Sequence, residues 1–309
     1  MNNFSKEPRD SHRLRVTSAL VQKKDYFLSN FPYDGFSSEL DFFWEKNQKI
    51  KASITFVLSD SGLALSLPQV PFGGFWTESN LSSASLEAFI LALITEMKSR
   101  EIRSISLTQP PKPYNSQTDL VNYLLFKNGF KQTKVLSHQF FIGKKKIKKL
   151  VQRESVKFQK GIKDSGLKIS SSSISNFGFL EAIRTWNVQR GYDVAIDENR
   201  IVQQVSAYPE RYFLITVSQH DVAIGYSLAV QLTSDSLYYF LSAMNPKTTT
   251  KNGGQLMVNE LFRLALDLRV NFIDLGSSDL EAGANHSLLF FKSRFANDFS
   301  NKVTWIKEL

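Results

Sequence analysis

One sequence pattern occurs twice in the chain, and this internal repeat constrains the fold more than any other feature. Phe-Lys-x-x-Phe stands at 126–130 and again at 291–295, one copy in each half of the chain. A single constant shift along the chain also aligns apolar positions upstream of the two motifs. Phe89, Ile90, Leu93, Ile94, Met97 and Ile105 fall on Met257, Val258, Leu261, Phe262, Ala265 and Ile273. Self-similarity over so long a period is typical of a duplicated structural unit.

Each copy predicts the same order of elements. Apolar residues at spacings of three and four indicate a helix, and the short alternating run after them indicates a strand. A loop, a helix ending in Phe-Lys-x-x-Phe and a closing strand follow. Three further strands are predicted before the helix of the second copy, at 212–217, 222–230 and 237–243. This order predicts an α/β (α+β) fold of two tandem units, each a mixed, mostly antiparallel sheet flanked by helices. The middle strands of such a sheet can part and leave a slot for a ligand.

The domain boundaries follow from the repeat and from the distribution of charge. We expect a loose N-terminal segment at 1–25 and a first unit at 26–143. A basic connecting helix is predicted at 144–166, and a second unit, which carries the slot, at 167–309.

The net charge of +9 is concentrated in one segment. Nine basic residues and one acidic residue lie between 144 and 163, where Ile147, Leu150, Val151, Phe158 and Ile162 form one apolar stripe at helical spacing. Three interpretations stay open for the basic surface of this helix. It contacts a polyanion such as tRNA or a nucleotide-linked precursor, it lies on an anionic membrane surface, or it is an ordinary solvated face.

Several classes of site and location are excluded by residues that the sequence lacks. Without cysteine there is no disulfide, no thiolate nucleophile and no cysteine metal site. The four histidines (His12, His138, His220 and His286) lack the spacing of metal ligands, so no metal is predicted. No apolar run is long enough to span a membrane, and the N-terminus lacks the apolar region of a signal peptide. We therefore expect a cytoplasmic protein.

The C-terminal motifs resemble those of a known family. Phe-Ile-Asp-Leu-Gly at 272–276, a Ser/Gly loop and Phe-Lys-Ser-Arg-Phe at 291–295 are similar to the signature of FemAB-like transferases. The helix end at 190–192, the basic helix and the Pro-Phe-Gly-Gly-Phe loop at 71–75 are similar as well. The resemblance implies two tandem GNAT-like (acyl-CoA N-acyltransferase) units. It also implies direct transfer of an acyl or aminoacyl group to an amine, without a covalent enzyme intermediate. The chain departs from the family at Ala296, where a glycine is usual, and shows no long helical hairpin in the second unit.

The resemblance points to Lys292 as a catalytic cation at the mouth of the slot. There it would hold a phosphate or an oxyanion. The alternative is a solvated lysine beside core phenylalanines, which is also what we expect of Lys127. Tyr238, Tyr239 and Asp274 are candidates for handling the amine proton and the leaving group. Strand alternation places the two tyrosines on opposite faces, so at most one enters the slot. For Asp274, acceptance of backbone N–H bonds at the strand end is the favoured alternative.

The donor site is predicted at a helix start. GNAT folds hold pyrophosphate on backbone N–H groups at a helix N-terminus. The corresponding loop here contains Asn252, Gly253, Gly254 and Gln255, and Gln255 stands where a second small residue belongs. The alternative is an ordinary glycine-rich loop. We predict no tightly bound cofactor, with acyl-CoA or aminoacyl-tRNA as the co-substrate.

The acceptor site is predicted from positions that match the family. The substrate-binding candidates are Phe72, Gly73, Gly74, Arg190, Tyr192 and His286. His286 has the alternative role of capping the helix that follows it. The acceptor would be an amine-bearing peptidoglycan precursor, sugar, lipid or small molecule. The function predicted is that of a FemAB-like N-acyltransferase or aminoacyltransferase in cell wall biogenesis. The alternative is a non-catalytic GNAT-fold binding module that has lost its donor site.

Overall fold

A computed structural model describes residues 12–18, 26–27, 35–68, 70–78, 80–163, 166–192, 196–248, 250, 252–280 and 283–309, with the side chains of 154–163 outside the description. The chain divides into two compact units. Unit 1 comprises 1–136 together with 300–309, and unit 2 comprises 137–299.

The first half of the chain contains seven strands and two helices among the described residues. The strands are β1 (Arg13–Thr17), β2 (Ser38–Lys46), β3 (Lys49–Leu58), β4 (Leu63–Leu65), β5 (Trp76–Thr77), β6 (Ser104–Gln109) and β7 (Lys131–Ile142). The helices are α1 (Ser83–Ser99) and α2 (Thr118–Lys127).

The second half continues in the same numbering. Its strands are β8 (Leu167–Ser172), β9 (Tyr212–Gln219), β10 (Val222–Val230), β11 (Ser236–Met244), β12 (Phe272–Ser277), β13 (Asp279–Leu280), β14 (Gly283–Ala284) and β15 (Asp298–Glu308). Its helices are α3 (Lys144–Lys163), α4 (Gly178–Gln189), α5 (Glu198–Ala207), α6 (Gly253–Asp267) and α7 (His286–Ser293).

Unit 1 is a mixed sheet in the order β1-β2-β3-β4-β6-β15, with β5 beside β3. Its neighbours are antiparallel except for the parallel pair β4 and β6. The side chain of Ser82 caps α1 by accepting a hydrogen bond from the Ser85 N–H at 3.2 Å. The predicted apolar face of α1 is buried in the unit 1 core: Leu86, Phe89, Ile90, Leu93, Ile94 and Met97.

Unit 2 is a mixed sheet as well, in the order β7-β12-β11-β10-β9-β8. Its neighbours are antiparallel except for the parallel pair β11 and β12. α6 covers one face, where Ile273, Leu237 and Phe262 share one core cluster. α4 covers the opposite face, where Trp186 stacks on Tyr226 of β10 at 5.6 Å. The predicted fold class, two units of mixed and mostly antiparallel sheet flanked by helices, is confirmed.

The sequence repeat is visible in the two parallel ladders. In unit 1 the β4–β6 ladder has Ala64 opposite Ile105 at its centre. In unit 2 the β11–β12 ladder has Leu237 opposite Ile273 at its centre. Ile105 and Ile273 are positions that the constant shift between the two copies aligns. Each copy therefore uses a long helix, α1 or α6, to join two parallel strands.

The closing strands differ from the expectation that each copy ends in its own sheet. β15 follows α7 in the chain, but its residues from Ser300 onward belong to unit 1, where Trp305 pairs with Leu107 of β6. β7 follows α2, and its residues from Ser137 onward belong to unit 2, where Phe141 pairs with Ile273. Residues 300–309, which were predicted to belong to the second unit, therefore belong to unit 1. Both strands alternate in polarity, and such a pattern specifies which face is buried but not which strand is the partner.

The N-terminal region also differs in part from the loose segment predicted for 1–25. Residues Arg13–Thr17 form β1, antiparallel to β2. Leu14 and Val16 pack against the unit 1 core, and Arg13 and Arg15 form ion pairs with Glu45 at 3.2 and 2.7 Å. Residues 1–11 and 19–25 lie outside the described residues. Within the described ranges, no helix combines the length and the apolar character needed to cross a bilayer.

Candidate functional site

The ladder between the two parallel strands of unit 2 is short. The β11–β12 ladder contains three pairs and ends where Tyr238 stands opposite Asp274. Between the described residues of these strands no later pair forms, although β11 continues to Met244 and β12 to Ser277. The mixed sheet order predicts an opening at this end of the ladder, and Tyr238 and Asp274 form the last pair before it.

The two tyrosines of β11 face opposite sides of the sheet. Tyr239 lies in the cluster beneath α6, whereas Tyr238 lies on the face that carries Asp274. Burial raises the pKa of both hydroxyls, and the charge of Asp274 raises the pKa of Tyr238 further. Tyr238 is therefore a protonated phenol at neutral pH, and Tyr239 stands apart from the opening.

The carboxyl group of Asp274 is fully buried and holds the chain at the end of β12. Its Oδ1 accepts the Gly276 N–H at 2.7 Å. Gly276 has φ +74°, a conformation that glycine adopts without steric cost. This contact is the structural role that the sequence favoured for Asp274. The same carboxyl also contacts a histidine that the sequence analysis did not select.

His138 of β7 is the partner of Asp274. Its Nδ1 lies 3.0 and 3.1 Å from the two carboxylate oxygens, and the imidazole is 1% exposed. The ring stacks between Phe140 and Tyr238, with ring centroids 6.1 and 6.3 Å away. Its Nε2 is buried and forms no hydrogen bond with the residues that the structure describes. Alternation along β7 predicts that His138 and Phe140 share a face. The sequence around His138 does not indicate that its partner is Asp274, 136 residues further along the chain.

Lys292 is buried at the same end of β12. The residue is 6% exposed, and its Nζ donates to the Ser277 carbonyl at 2.5 Å. Burial lowers the pKa of its ammonium group to about 8, with Asp274 and Asp279 acting in the opposite direction. An ammonium has three N–H donors, so two are left unused by the residues described here. The alternative of a solvated lysine therefore does not describe Lys292.

The first copy of Phe-Lys-x-x-Phe has a different environment. Lys127 is exposed, with its Nζ 5.6 Å from the ring centroid of Tyr123. Phe126 is 64% exposed, so it is not the core anchor that we expected, whereas Phe130 is 2% exposed. In the second copy both phenylalanines pack on the unit 2 core, their centroids 5.2 Å apart. Only the second copy buries its lysine.

The predicted donor loop lies at the start of α6. Asn252 has φ +64°, and its side chain forms no capping hydrogen bond. A Cβ at Gly253 would collide with the Met244 side chain, and one at Gly254 would lie 3.2 Å from Cζ of Phe291. The Met244 contact is with the end of a flexible side chain, whereas the Phe291 ring limits the space at Gly254. Donor binding by residues 252–255, including the half-buried Gln255, stays a prediction.

The other site candidates of unit 2 lie at helix ends. Arg190 is exposed at the end of α4, and the Tyr192 N–H donates to the Asn187 carbonyl at 3.0 Å. His286 is the first residue of α7, but Asn285 caps that helix, accepting from the Leu288 N–H at 3.0 Å. The capping role considered for His286 is therefore wrong. In the part of the chain that the structure describes, no three His, Asp or Glu side chains are grouped to hold a metal.

The predicted acceptor loop belongs to unit 1. Phe72 is 1% exposed, with its ring centroid 4.5 Å from that of Tyr114. Gly73 packs so closely on Ser66 that a Cβ would collide with its backbone, and Gly74 has φ +54°. The close approach of the Ser66 backbone explains the glycine at 73, and the positive φ angle explains the glycine at 74. Their role in substrate binding stays a prediction.

The basic helix exposes its cations and buries its apolar stripe. Ile147 is 1% exposed, and Leu150 and Val151 pack on the unit 2 core, while the side chains of Phe158 and Ile162 lie outside the description. The exposed cations of the described part are Lys144, Lys145, Lys146, Lys148, Lys149 and Arg153. The first turn contains no acidic residue.

Comparisons with known proteins relate the chain to solved structures. FemX superposes with a TM-score of 0.62 at 11% sequence identity, covering 87% of each chain. A conserved protein of unknown function from Bacteroides thetaiotaomicron VPI-5482 gives 0.54 at 10% identity, covering 87% of this chain and 86% of that chain. A tandem GNAT protein from the clavulanic acid biosynthesis pathway gives 0.49 at 10% identity, covering 90% and 85%. No protein-family model and no curated protein matches the chain. At these identities the likeness is one of fold alone, and the superposition on FemX confirms the expected FemAB-like fold.

Proposed function

We propose that the chain is an N-acyltransferase or aminoacyltransferase that transfers its group directly to an amine at the opening between β11 and β12. The observation that carries the proposal is the burial of Lys292 beside this opening with two unused N–H donors. Asp274 and Asp279 favour the charged form, and the two unused donors of a buried ammonium support a ligand or intermediate that accepts hydrogen bonds there. The FemX-like fold supports the reaction class.

The chemistry proposed for Lys292 is stabilisation of negative charge. Attack of an amine on an acyl carbonyl produces an oxyanion, and donors in a site removed from water stabilise it strongly. With a pKa of about 8, Lys292 is mostly protonated at neutral pH. Tyr238, also protonated there, supplies a hydroxyl donor for the leaving group. Asp274, already bound to Gly276 and His138, acts as a positioning residue.

The partners of the reaction are proposed from charge and from the family resemblance. The exposed cations of α3 support a phosphate-bearing partner, either a tRNA that carries the donor or an anionic membrane surface. The donor is acyl-CoA or aminoacyl-tRNA, and residues 252–255 are the proposed contact. The acceptor is an amine-bearing peptidoglycan precursor, sugar, lipid or small molecule, with Arg190 and Tyr192 among its proposed contacts.

The proposed function is tested by a ligand screen followed by product detection. Thermal unfolding is measured with acetyl-CoA, a long-chain acyl-CoA, UDP-linked wall precursors and mixed aminoacyl-tRNA. A ligand at about 100 times its Kd adds about 2.7 kcal/mol of stability, which raises the unfolding temperature measurably for a chain of this size. The stabilising donor, isotope-labelled, is then incubated with amine acceptors. A labelled amide product is the expected result. A donor that binds without forming product under any of these conditions would instead favour the non-catalytic binding module.

A further inference from the structure

The buried carboxyl group of Asp274 has the imidazole of His138 as its partner. We propose that Nε2 of His138 accepts the proton of the attacking amine, with Asp274 as the residue that positions the ring. The proposal rests on the proposed transfer function and names the base of that reaction.

The tautomer of the His138 ring follows from its contact with Asp274. An ionised carboxylate can only accept hydrogen bonds, so Nδ1 of His138, at 3.0 Å from Asp274, carries the proton. Nε2 then has a free lone pair. A carboxylate on one nitrogen fixes the ring orientation and stabilises the imidazolium that forms when the other nitrogen takes a proton.

Nε2 of His138 has no hydrogen-bond partner among the described residues. A buried acceptor without a hydrogen bond destabilises the folded protein, and adding one back is correspondingly favourable. Nε2 is such an atom, because it is buried and no described residue donates to it. A hydrogen-bond donor from outside the fold would remove this cost, and an amine N–H is the donor that the proposed reaction supplies.

The position of His138 relative to the β11–β12 ladder also supports the proposal. His138 touches both members of the last β11–β12 pair, binding Asp274 and stacking on Tyr238 at 12° between ring planes. Its ring therefore lies at the end of this ladder. The titratable groups that contact it are Tyr238 of β11 and Asp274 of β12, and Asp274 in turn acts on Lys292 of α7 together with Asp279 of β13.

The proton balance of the step is complete. The amine nitrogen forms a bond to the acyl carbon and gives its proton to Nε2 of His138. The carbon–oxygen or carbon–sulfur bond to the donor then breaks, and the imidazolium gives the same proton to the leaving oxygen or sulfur. The ring returns to its neutral form, and no oxidant or metal takes part.

The tautomer is measured without any need for activity. The chain has four histidines, so ¹⁵N-labelled imidazole signals are assigned by replacing them one at a time. We expect His138 to show a protonated Nδ1 and an unprotonated Nε2, and the Nε2 signal to move when N-acetyl-lysine amide is added as an amine probe. His138→Gln must remove this signal. A protonated Nε2 in the free protein, or an Nε2 signal that ignores the amine, would overturn the proposal.

Kinetics then separate the base from a merely structural histidine. His138→Gln retains polarity but cannot accept a proton, and we expect the single-turnover transfer rate to fall about 100- to 10,000-fold. Donor binding should be unchanged. A wild-type transfer rate in folded His138→Gln would refute the role of base. If wild-type protein transfers no group at all, the proposed function fails, and the tautomer and its response to the amine still decide the assignment of His138.

Discussion

At the scale of the residue, the two lysines of the repeated motif show how one sequence acquires two environments. Lys127 lies in water, whereas Lys292 lies under the end of β12 and retains one carbonyl contact. Burial disfavours the charged form, which explains the lowered pKa of Lys292. Asp274 and Asp279 offset part of that effect. The short motif is therefore a weak indicator of function, and the tertiary environment determines it.

The lowered pKa of Lys292 predicts how stability depends on pH. The pKa is about 8 in the folded protein against an ordinary 10.5, so between these values the unfolded chain binds more protons. The free energy of unfolding of wild type, relative to Lys292→Met, should therefore rise with pH across this window, by at most about 3 kcal/mol. Urea denaturation at both ends of the window measures it. Lys127→Met, at an exposed lysine, is the control for removal of a positive charge, and a falling or flat difference for Lys292→Met would contradict the account.

The same group predicts an alkaline limit to activity. If the cation of Lys292 is required, transfer should decline as pH rises through about 8, because the ammonium loses its proton. Lys292→Arg keeps a positive charge at every accessible pH. Its remaining activity should therefore lack this decline. Identical alkaline limbs in wild type and Lys292→Arg would show that another group causes the decline.

At the scale of the element, the end of β12 depends on one backbone conformation. Gly276 has φ +74° and gives its N–H to Asp274. Alanine in this left-handed region costs about 1 to 2 kcal/mol, so Gly276→Ala should lower the free energy of unfolding by that amount. Gly178→Ala serves as the control, because Gly178 begins α4 with space around it. Equal effects of the two substitutions in chemical denaturation would argue against strain at Gly276.

The exposed face of α3 predicts binding to a polyanion. A variant in which four lysines of this face are replaced by glutamate should bind tRNA or phosphatidylglycerol vesicles more weakly, and its binding should depend less on salt. The four lysines are Lys144, Lys145, Lys148 and Lys149. The control carries the same change of charge at exposed lysines of unit 1: Lys98, Lys127, Lys131 and Lys134. Cosedimentation with each probe separates RNA from membrane. If both variants lose binding equally, only net charge matters and α3 is an ordinary solvated face.

At the scale of the whole molecule, the sequence predicts what is local and periodic. α1, α2 and the strands β9 to β11 follow from apolar spacing, and the repeat correctly predicts that Ile105 and Ile273 occupy equivalent ladders. The exchange of the closing strands does not follow, since β7 and β15 carry similar patterns. The contact between His138 and Asp274 was missed for the same reason, because strand pairing alone brings these distant residues together.

We expect the transfer site at Lys292 of unit 2 and not at Lys127 of unit 1, although both lysines stand in Phe-Lys-x-x-Phe. The most direct measurement is the single-turnover transfer rate of Lys292→Ala beside that of Lys127→Ala, with the donor that stabilises wild type. Loss of one oxyanion donor typically lowers the rate about 100- to 1000-fold, so we expect this fall for Lys292→Ala and a wild-type rate for Lys127→Ala. Equal rates in both folded variants would contradict the claim.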